Sequence, residues 1–182
     1  MNVTPELDSR FREAALREGL VDVRYDIVDS PVGELFVAAT DRGLCRISYH
    51  PDGMEDVLAH TFGPRVLRSP LDEIRRELDE YFEGTRRDFD LPLDVRVAPF
   101  HADVLEELAR VPYGRTDTYG SLAAKVGRPR AARAVGTVMN RNPIPIVLPC
   151  HRIVGANGSL TGYAGGLDVK LRLLQLEGAM LA

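Results

Sequence analysis

The sequence predicts a mixed α/β (α+β) protein in two parts. A small N-terminal domain, residues 1–97, has an antiparallel sheet and helices, and a mainly helical C-terminal domain, residues 98–182, contains the outline of a helix-turn-helix and the cysteine Cys150. Three observations predict this. Strand-like apolar stretches punctuated by a hairpin turn lie between Val23 and Tyr49, helical apolar periods recur from Phe100 onward, and charge divides between the halves. Residues 1–97 carry 13 Lys and Arg against 21 Asp and Glu, whereas residues 98–182 carry 10 against 6.

Thr4-Pro5-Glu6 opens a helix to about Glu18, with Thr4 as N-cap, Pro5 at the first helical position and Gly19 at the end. Segments 23–28, 33–40 and 44–49 have strand character, and Thr40-Asp41-Arg42-Gly43 reads as a hairpin turn. Cys45, Ile47 and Tyr49 are expected on one face of the third strand, Cys45 as an inert, small apolar residue. Leu71, Ile74, Leu78, Tyr81 and Phe82 follow a helical period that stops at Gly84. Residues 85–98 are polar, contain Pro92 and connect the two halves.

In the basic half, Phe100, Val104, Leu105 and Leu108 share one face of a helix near residues 99–110. A short helix at 118–126, the turn Gly127-Arg128-Pro129 and an alanine-rich helix at 130–140 have the outline of a helix-turn-helix, an outline many helical hairpins share. Asn142-Pro143-Ile144-Pro145-Ile146-Val147-Leu148-Pro149 is expected to be a stiff, extended strut. Residues 155–166 read as a glycine-rich loop, and a last helix from Asp168 to Gly178 places Leu167, Leu171 and Leu174 on one side.

Between Arg110 and Arg152 there are eight basic residues against the single Asp117, an electrostatic footprint suited to phosphates. No basic start precedes an apolar run, and no stretch approaches the roughly 18 apolar residues of a membrane span. A cytoplasmic protein without membrane association is therefore expected. The two cysteines are distant, and neither CxxC nor HxxxH spacing occurs, so reduced thiols and no metal site are expected.

The stretch PCHRIVG sets His151 and Arg152 directly after Cys150. Nearby cations and hydrogen-bond donors raise the thiolate fraction of a cysteine, so both residues could activate it. Equally, the dipeptide alone is compatible with a buried, unreactive cysteine. Consecutive side chains in a non-helical segment point apart, which favours His151 acting through water over a direct Cys-His pair.

The longer run RAVGTVMNRNPIPIVLPCHRIVGANGSLTGYAGGLDVKLRLLQLEG, residues 133–178, closely resembles the C-terminal domain of the O6-alkylguanine-DNA alkyltransferases, or methylated-DNA–protein-cysteine methyltransferases. The match spans about residues 100–178, and SPVGELFVAATDRGLCRISY in the N-terminal half is similar to their smaller α/β domain. The resemblance implies DNA repair in which Cys150 accepts an alkyl group from O6 of guanine, once and irreversibly, with no cofactor. By the same resemblance His151 passes the proton through water toward Glu177, Asn142 supports the active-site hydrogen bonds, and Tyr119 hydrogen-bonds the leaving guanine. Tyr163, Ala164, Ile153 and Lys170 would form the alkylguanine pocket, with backbone groups at Cys150, Ile153 and Ala164 reading the base edge. Arg133 would fill the space of the flipped nucleotide, with Arg130, Ala132 and Gly136 on the DNA-binding face. The implied partner is double-stranded DNA carrying O6-alkylguanine, and possibly O4-alkylthymine, approached from the minor groove with little sequence preference. A monomer is expected.

The chain departs from the family pattern at His101, Leu105 and Ala164, where Gln, Trp and Ser are usual, and its first helix is not matched to that pattern. A lesion-binding protein without alkyl transfer, a thiol-based DNA-binding sensor and a cysteine hydrolase are the alternatives. Cys150 within PCHR argues against the first.

Overall fold

A computed structural model describes residues 4–179. Helix α1 (Pro5–Arg17) is capped by Thr4, whose hydroxyl accepts from Leu7 N at 3.3 Å, and its Arg12 donates to Arg68 O at 2.9 Å. Strands β1 (Val23–Val28), β2 (Leu35–Thr40), β3 (Gly43–Ser48) and β4 (Val66–Arg68) form a sheet in the order β3-β2-β1-β4. The first three are antiparallel, while β4 adds to β1 in parallel after helix α2 (Met54–Phe62). The sequence reading had no element at α2 or β4.

β2 is buried along its whole length because both faces of the sheet are covered. Leu35, Val37 and Ala39 face a core shared with helix α3 (Asp72–Phe82) and the C-terminal half, whereas Phe36 and Ala38 pack with Leu58 of α2. A β-bulge corrects the expectation for β3. Ala38 pairs with Arg46 and Ala39 with Leu44, so Cys45 is the extra residue. The insertion shifts the two-residue alternation by one, and Cys45 lies with Phe36 and Leu58 while Ile47 lies on the opposite face, where Tyr49 also packs.

The connector between the halves is stitched to the sheet. Leu44 N donates to Pro92 O at 2.8 Å and Asp94 N to Leu44 O at 2.9 Å. At Gly43, which has φ +133°, a Cβ would lie 2.1 Å from Pro92 O, so only glycine permits this approach.

Helices α4 (Pro99–Ala109), α5 (Tyr119–Lys125) and α6 (Ala132–Asn140) pack together, with Val104, Leu105, Leu108, Leu122, Val135 and Val138 buried between them. Thr118 caps α5 by accepting from Ser121 N at 3.1 Å. The short strand β5 (Asp117–Thr118) pairs in parallel with β6 (Ile153–Val154). Helix α7 (Leu167–Leu176) buries Val169, Lys170, Leu173 and Leu174, while Leu167 is exposed, so the buried stripe is displaced from the one expected.

The segment before Cys150 is a fold-back instead of an extended strut. Leu148 N donates to Ile144 O at 2.9 Å, Pro145 bridges to Leu148, and Ile146 adopts φ 75°. Prolines at 143, 145 and 149 each fix one φ and remove one donor, which stiffens a turn as readily as a strand. A fully buried β-branched residue in the left-handed region is held there by its surroundings.

Candidate active site and nucleic-acid face

Cys150 begins a 3₁₀ turn, Cys150–Arg152, closed by Arg152 N donating to Pro149 O at 2.9 Å. Asn142 braces the fold-back that leads into this turn. Its Nδ2 donates to Leu148 O at 2.7 Å, and its Oδ1 accepts from Ile144 N at 3.1 Å. Cys150, His151 and Arg152 are all buried. Burial pushes the Cys150 thiol up to about 11, against the opposing pull of the Asn142 side chain, the Lys170 charge and the Tyr163 hydroxyl. At rest this cysteine is therefore a thiol, and deprotonation must accompany its chemistry.

A buried network lies beside it. His151 Nε2 is 2.8 Å from Glu177 Oε1, and Arg152 holds the same carboxylate through Nε (2.9 Å, Oε2) and Nη2 (3.0 Å, Oε1). Arg152 Nη1 donates to Val111 O at 2.6 Å. Gly114 N donates to Glu177 Oε2 at 3.2 Å, and Tyr81 Oη, from α3, donates to Oε1 at 2.8 Å. Although burial opposes it, the His151 and Arg152 hydrogen bonds hold Glu177 down at about 2, so it is a carboxylate at neutral pH. A carboxylate only accepts, so Nε2 carries the proton and Nδ1 is the acceptor; Nδ1 is buried with no partner among the described residues. Burial also lowers the His151 pKa and keeps the ring neutral. Arg152 thus serves the carboxylate instead of the thiol.

The glycine-rich loop closes over this cluster. Lys170, fully buried, donates through Nζ to Ile153 O at 2.6 Å and to Thr161 O at 3.1 Å. Its charge accordingly bridges the Cys150 turn and the loop. Tyr163 shares a hydroxyl hydrogen bond of 2.7 Å with Tyr49 of the N-terminal half, and at Gly165 a Cβ would lie 2.8 Å from the Tyr49 ring. Cys150 O accepts from Ile153 N, and Ile153 O accepts from Lys170 Nζ. Ala164 is exposed.

Beyond the loop lies an open cavity of about 460 Å³, lined by Tyr119, Ala132, Arg133, Gly136, Thr161 and Gly162 among others. Thr161 Oγ1 donates to Tyr119 Oη at 2.9 Å, which leaves the tyrosine O–H free to donate. Gly136 sits over the Tyr119 ring, where a Cβ would come within 3.9 Å. Arg133 and Arg130 are exposed on α6 and the turn before it, and Arg128 lies 5.2 Å over the Phe100 ring.

The structure therefore gathers Cys150, His151, Glu177, Lys170 and Ile153, all buried, and the half-buried Asn142 and Tyr163 into one cluster. Tyr119, Ala132, Arg133 and Gly136 line the adjoining cavity, and Arg130 and Ala164 lie outside both. Sequence reasoning missed Tyr81, Tyr49 and Gly114. The first two read as ordinary apolar positions on α3 and β3, and only tertiary contact gives them a place in the site. Among the described residues no cluster of His, Cys, Asp and Glu could hold a metal ion, and no helix is long and apolar enough to cross a membrane.

Residues 99–179 match the family model described as 6-O-methylguanine DNA methyltransferase, DNA binding domain, and residues 23–95 match that of the same family's ribonuclease-like domain. The methylated-DNA–protein-cysteine methyltransferase of Methanosarcina barkeri is 41% identical over 162 residues, covering 84% of this chain and 96% of the relative. The constitutive methylated-DNA–protein-cysteine methyltransferase of Bacillus subtilis is 39% identical, covering 84% and 94%. A crystal structure of the Mycobacterium tuberculosis O6-methylguanine methyltransferase superposes with a TM-score of 0.77 at 38% identity, covering 88% of this chain and 95% of that one. A crystal structure of the Mycobacterium tuberculosis OGT in complex with DNA has the same TM-score at 37% identity, covering 86% and 93%.

Proposed function

We propose, for a chain that belongs to the methylated-DNA–protein-cysteine methyltransferase family, that Cys150 is the alkyl acceptor and that its buried relay to His151 and Glu177 drives the transfer. The protein repairs DNA by direct alkyl transfer to itself, and DNA is its partner. The observation that carries the assignment of Cys150 is the neutral, buried His151 beside it, fixed through Nε2 on an ionised Glu177 and left with an unpartnered Nδ1.

The chemistry follows from these states. His151 Nδ1 takes the Cys150 proton through one water as the sulfur attacks the alkyl carbon of an O6-alkylguanine. The S–C bond forms while the C–O6 bond breaks, and its electron pair passes to the guanine. Tyr119 donates a hydrogen bond to the departing base, which takes up a proton from water in place of the one passed to His151 and leaves as guanine, while Glu177 stabilises the transient imidazolium. The S-alkyl thioether has no proton to lose and no leaving group better than the original, so each chain reacts once. The reaction needs only this thiol and its donors and acceptors.

O6 of a stacked guanine lies in the major groove of a duplex, out of reach of a thiol buried behind Tyr163. The nucleotide must therefore be flipped, at a cost of a few kcal/mol. Arg133, exposed at the cavity rim on a helix of small residues, takes the vacated place, with Ala132 and Gly136 allowing close approach and Arg130 meeting phosphate. Approach through the minor groove suits repair in any sequence. The base then enters beside Tyr163 and the backbone carbonyls of Cys150 and Ile153, with the Ala164 amide as a further donor and Lys170 holding the two walls together. Residues 98–182 carry these parts and residues 1–97 support them. A cytoplasmic monomer completes the reading.

Intact mass after incubation with O6-methylguanine duplex tests it. One methyl group per chain, mapped to the Cys150 peptide and abolished by Cys150→Ala with DNA binding retained, is the expected result. Turnover, or a methyl group on Cys45, would refute it. In a second experiment, Arg133→Ala should slow repair of duplex more than reaction with a free-base substrate; equal slowing would remove Arg133 from the flipping step.

A further inference from the structure

Tyr81 stands on α3 in the acidic half, 96 residues before Glu177, yet its hydroxyl donates to Glu177 Oε1 at 2.8 Å. The same oxygen meets His151 Nε2 at 2.8 Å and Arg152 Nη2 at 3.0 Å. The Tyr81 ring is fully buried in an aromatic cage, with centroids of Phe82, Phe89 and Tyr113 at 5.3, 5.4 and 6.2 Å. A phenylalanine would fill that cage equally well, so packing does not account for the hydroxyl.

We propose that Tyr81 is a positioning residue for alkyl transfer: its hydroxyl fixes Glu177 Oε1 against His151 Nε2 and takes up part of that oxygen's charge, keeping His151 neutral with Nδ1 free. This rests on the relay proposed above and places one of its members in the N-terminal half.

The groups facing His151 are Glu177, Arg152 and Lys170, with Cys150 next to it in the chain; those facing Glu177 are His151, Arg152, Tyr81 and Tyr113. Arg152 and Lys170 disfavour a histidine cation, and Glu177 favours it. A carboxylate oxygen that already accepts from Tyr81 attracts an imidazolium less strongly. With the hydroxyl gone, the charge concentrates on His151, Nδ1 takes up a proton at higher pH, and the ring ceases to be a base. Tyr81 is itself held neutral by burial and by Glu177, so it acts as a donor throughout the working range.

Tyr81→Phe tests this in single-turnover transfer from O6-methylguanine duplex across about pH 5 to 8. The acid limb of the rate should move up by about half a unit to one unit, which lowers the rate near the limb by about three- to tenfold. Above the limb the rate should stay within about twofold, with DNA affinity and the single methyl group per chain unchanged. Tyr113→Phe is the control, because the Tyr113 hydroxyl donates to Leu176 O at 3.1 Å, and its acid limb should stay in place. A limb that does not move in Tyr81→Phe, whatever happens to the melting temperature, overturns the proposal. So does a limb that moves equally in Tyr113→Phe.

Should Tyr81→Phe not fold, NMR of the unaltered protein decides. A slowly exchanging Tyr81 hydroxyl proton close to the His151 ring, with His151 in the Nε2–H tautomer, supports the assignment, and a freely exchanging hydroxyl overturns it. Failure of the unaltered protein to methylate Cys150 at all would instead strike the relay itself.

Discussion

Cys45 and Cys150 are buried alike, at 1% and 2% exposure, and burial pushes both thiols up, to about 12 and about 11. They differ in what surrounds them. Cys45 occupies a bulge against Phe36 and Leu58, and the charge that bears most on it is Asp94, which opposes ionisation. Cys150 has Asn142, Lys170 and Tyr163 to favour the thiolate, and beside it a histidine held in one tautomer. A depressed thiol pKa is therefore not what separates the proposed acceptor from Cys45. What separates it is a place for the proton to go.

The sharpest break of that contrast is at the relay. His151→Ala should slow methyl transfer on the order of a hundred- to ten-thousandfold in single-turnover assays while leaving Cys150 present and buried. A mild effect would mean that the thiol ionises unaided. Next comes Arg152→Met, which leaves the Glu177 carboxylate buried with one cation fewer and should cost about 3–5 kcal/mol in denaturant unfolding. A third effect concerns acid. Glu177 sits at about 2 when folded against an ordinary 4.5, so its stabilisation is complete above about pH 4.5 and is lost as pH falls from there toward 2. Glu177→Gln should flatten that part of a pH–stability curve. The smallest effect is expected at Cys45→Ala, about 1 kcal/mol of stability with methyl stoichiometry unchanged. Both thiols are raised on folding, so stability is full below about pH 9 and declines above it; Cys45→Ala should soften that alkaline decline.

The residues that the structure brings together around Cys150 were more legible in the sequence than the framework that holds them. Thr4, Pro5 and Gly19 marked α1, the period of Leu71, Ile74 and Leu78 marked α3, and Cys150, His151 and Glu177 could be named because their motif has fixed spacing. The bulge at Cys45 was not visible, since one extra residue reverses the faces without altering composition. Helix α2 buries only Leu58, so its apolar stripe was too thin to read. Around Ile146 the sequence predicts an extended strut where the chain turns, because proline fixes φ without saying which way the chain then goes. Tyr81 and Tyr49 reach the site across long sequence separations, and nothing local to either distinguishes it from a core aromatic.

β3 is the outer strand of the sheet, and two distant carbonyls cover its open side: Pro92 O accepts from Leu44 N, and Pro143 O accepts from Ile47 N at 2.9 Å. The second cover belongs to the fold-back that leads to Cys150, so the edge is complete only once the basic half has docked. Before that moment, as the chain emerges in order, Ile47 presents an unpaired donor on a strand able to recruit another copy. The fold-back that leads to Cys150 thus also covers the open edge of the sheet, the kind of edge through which chains associate.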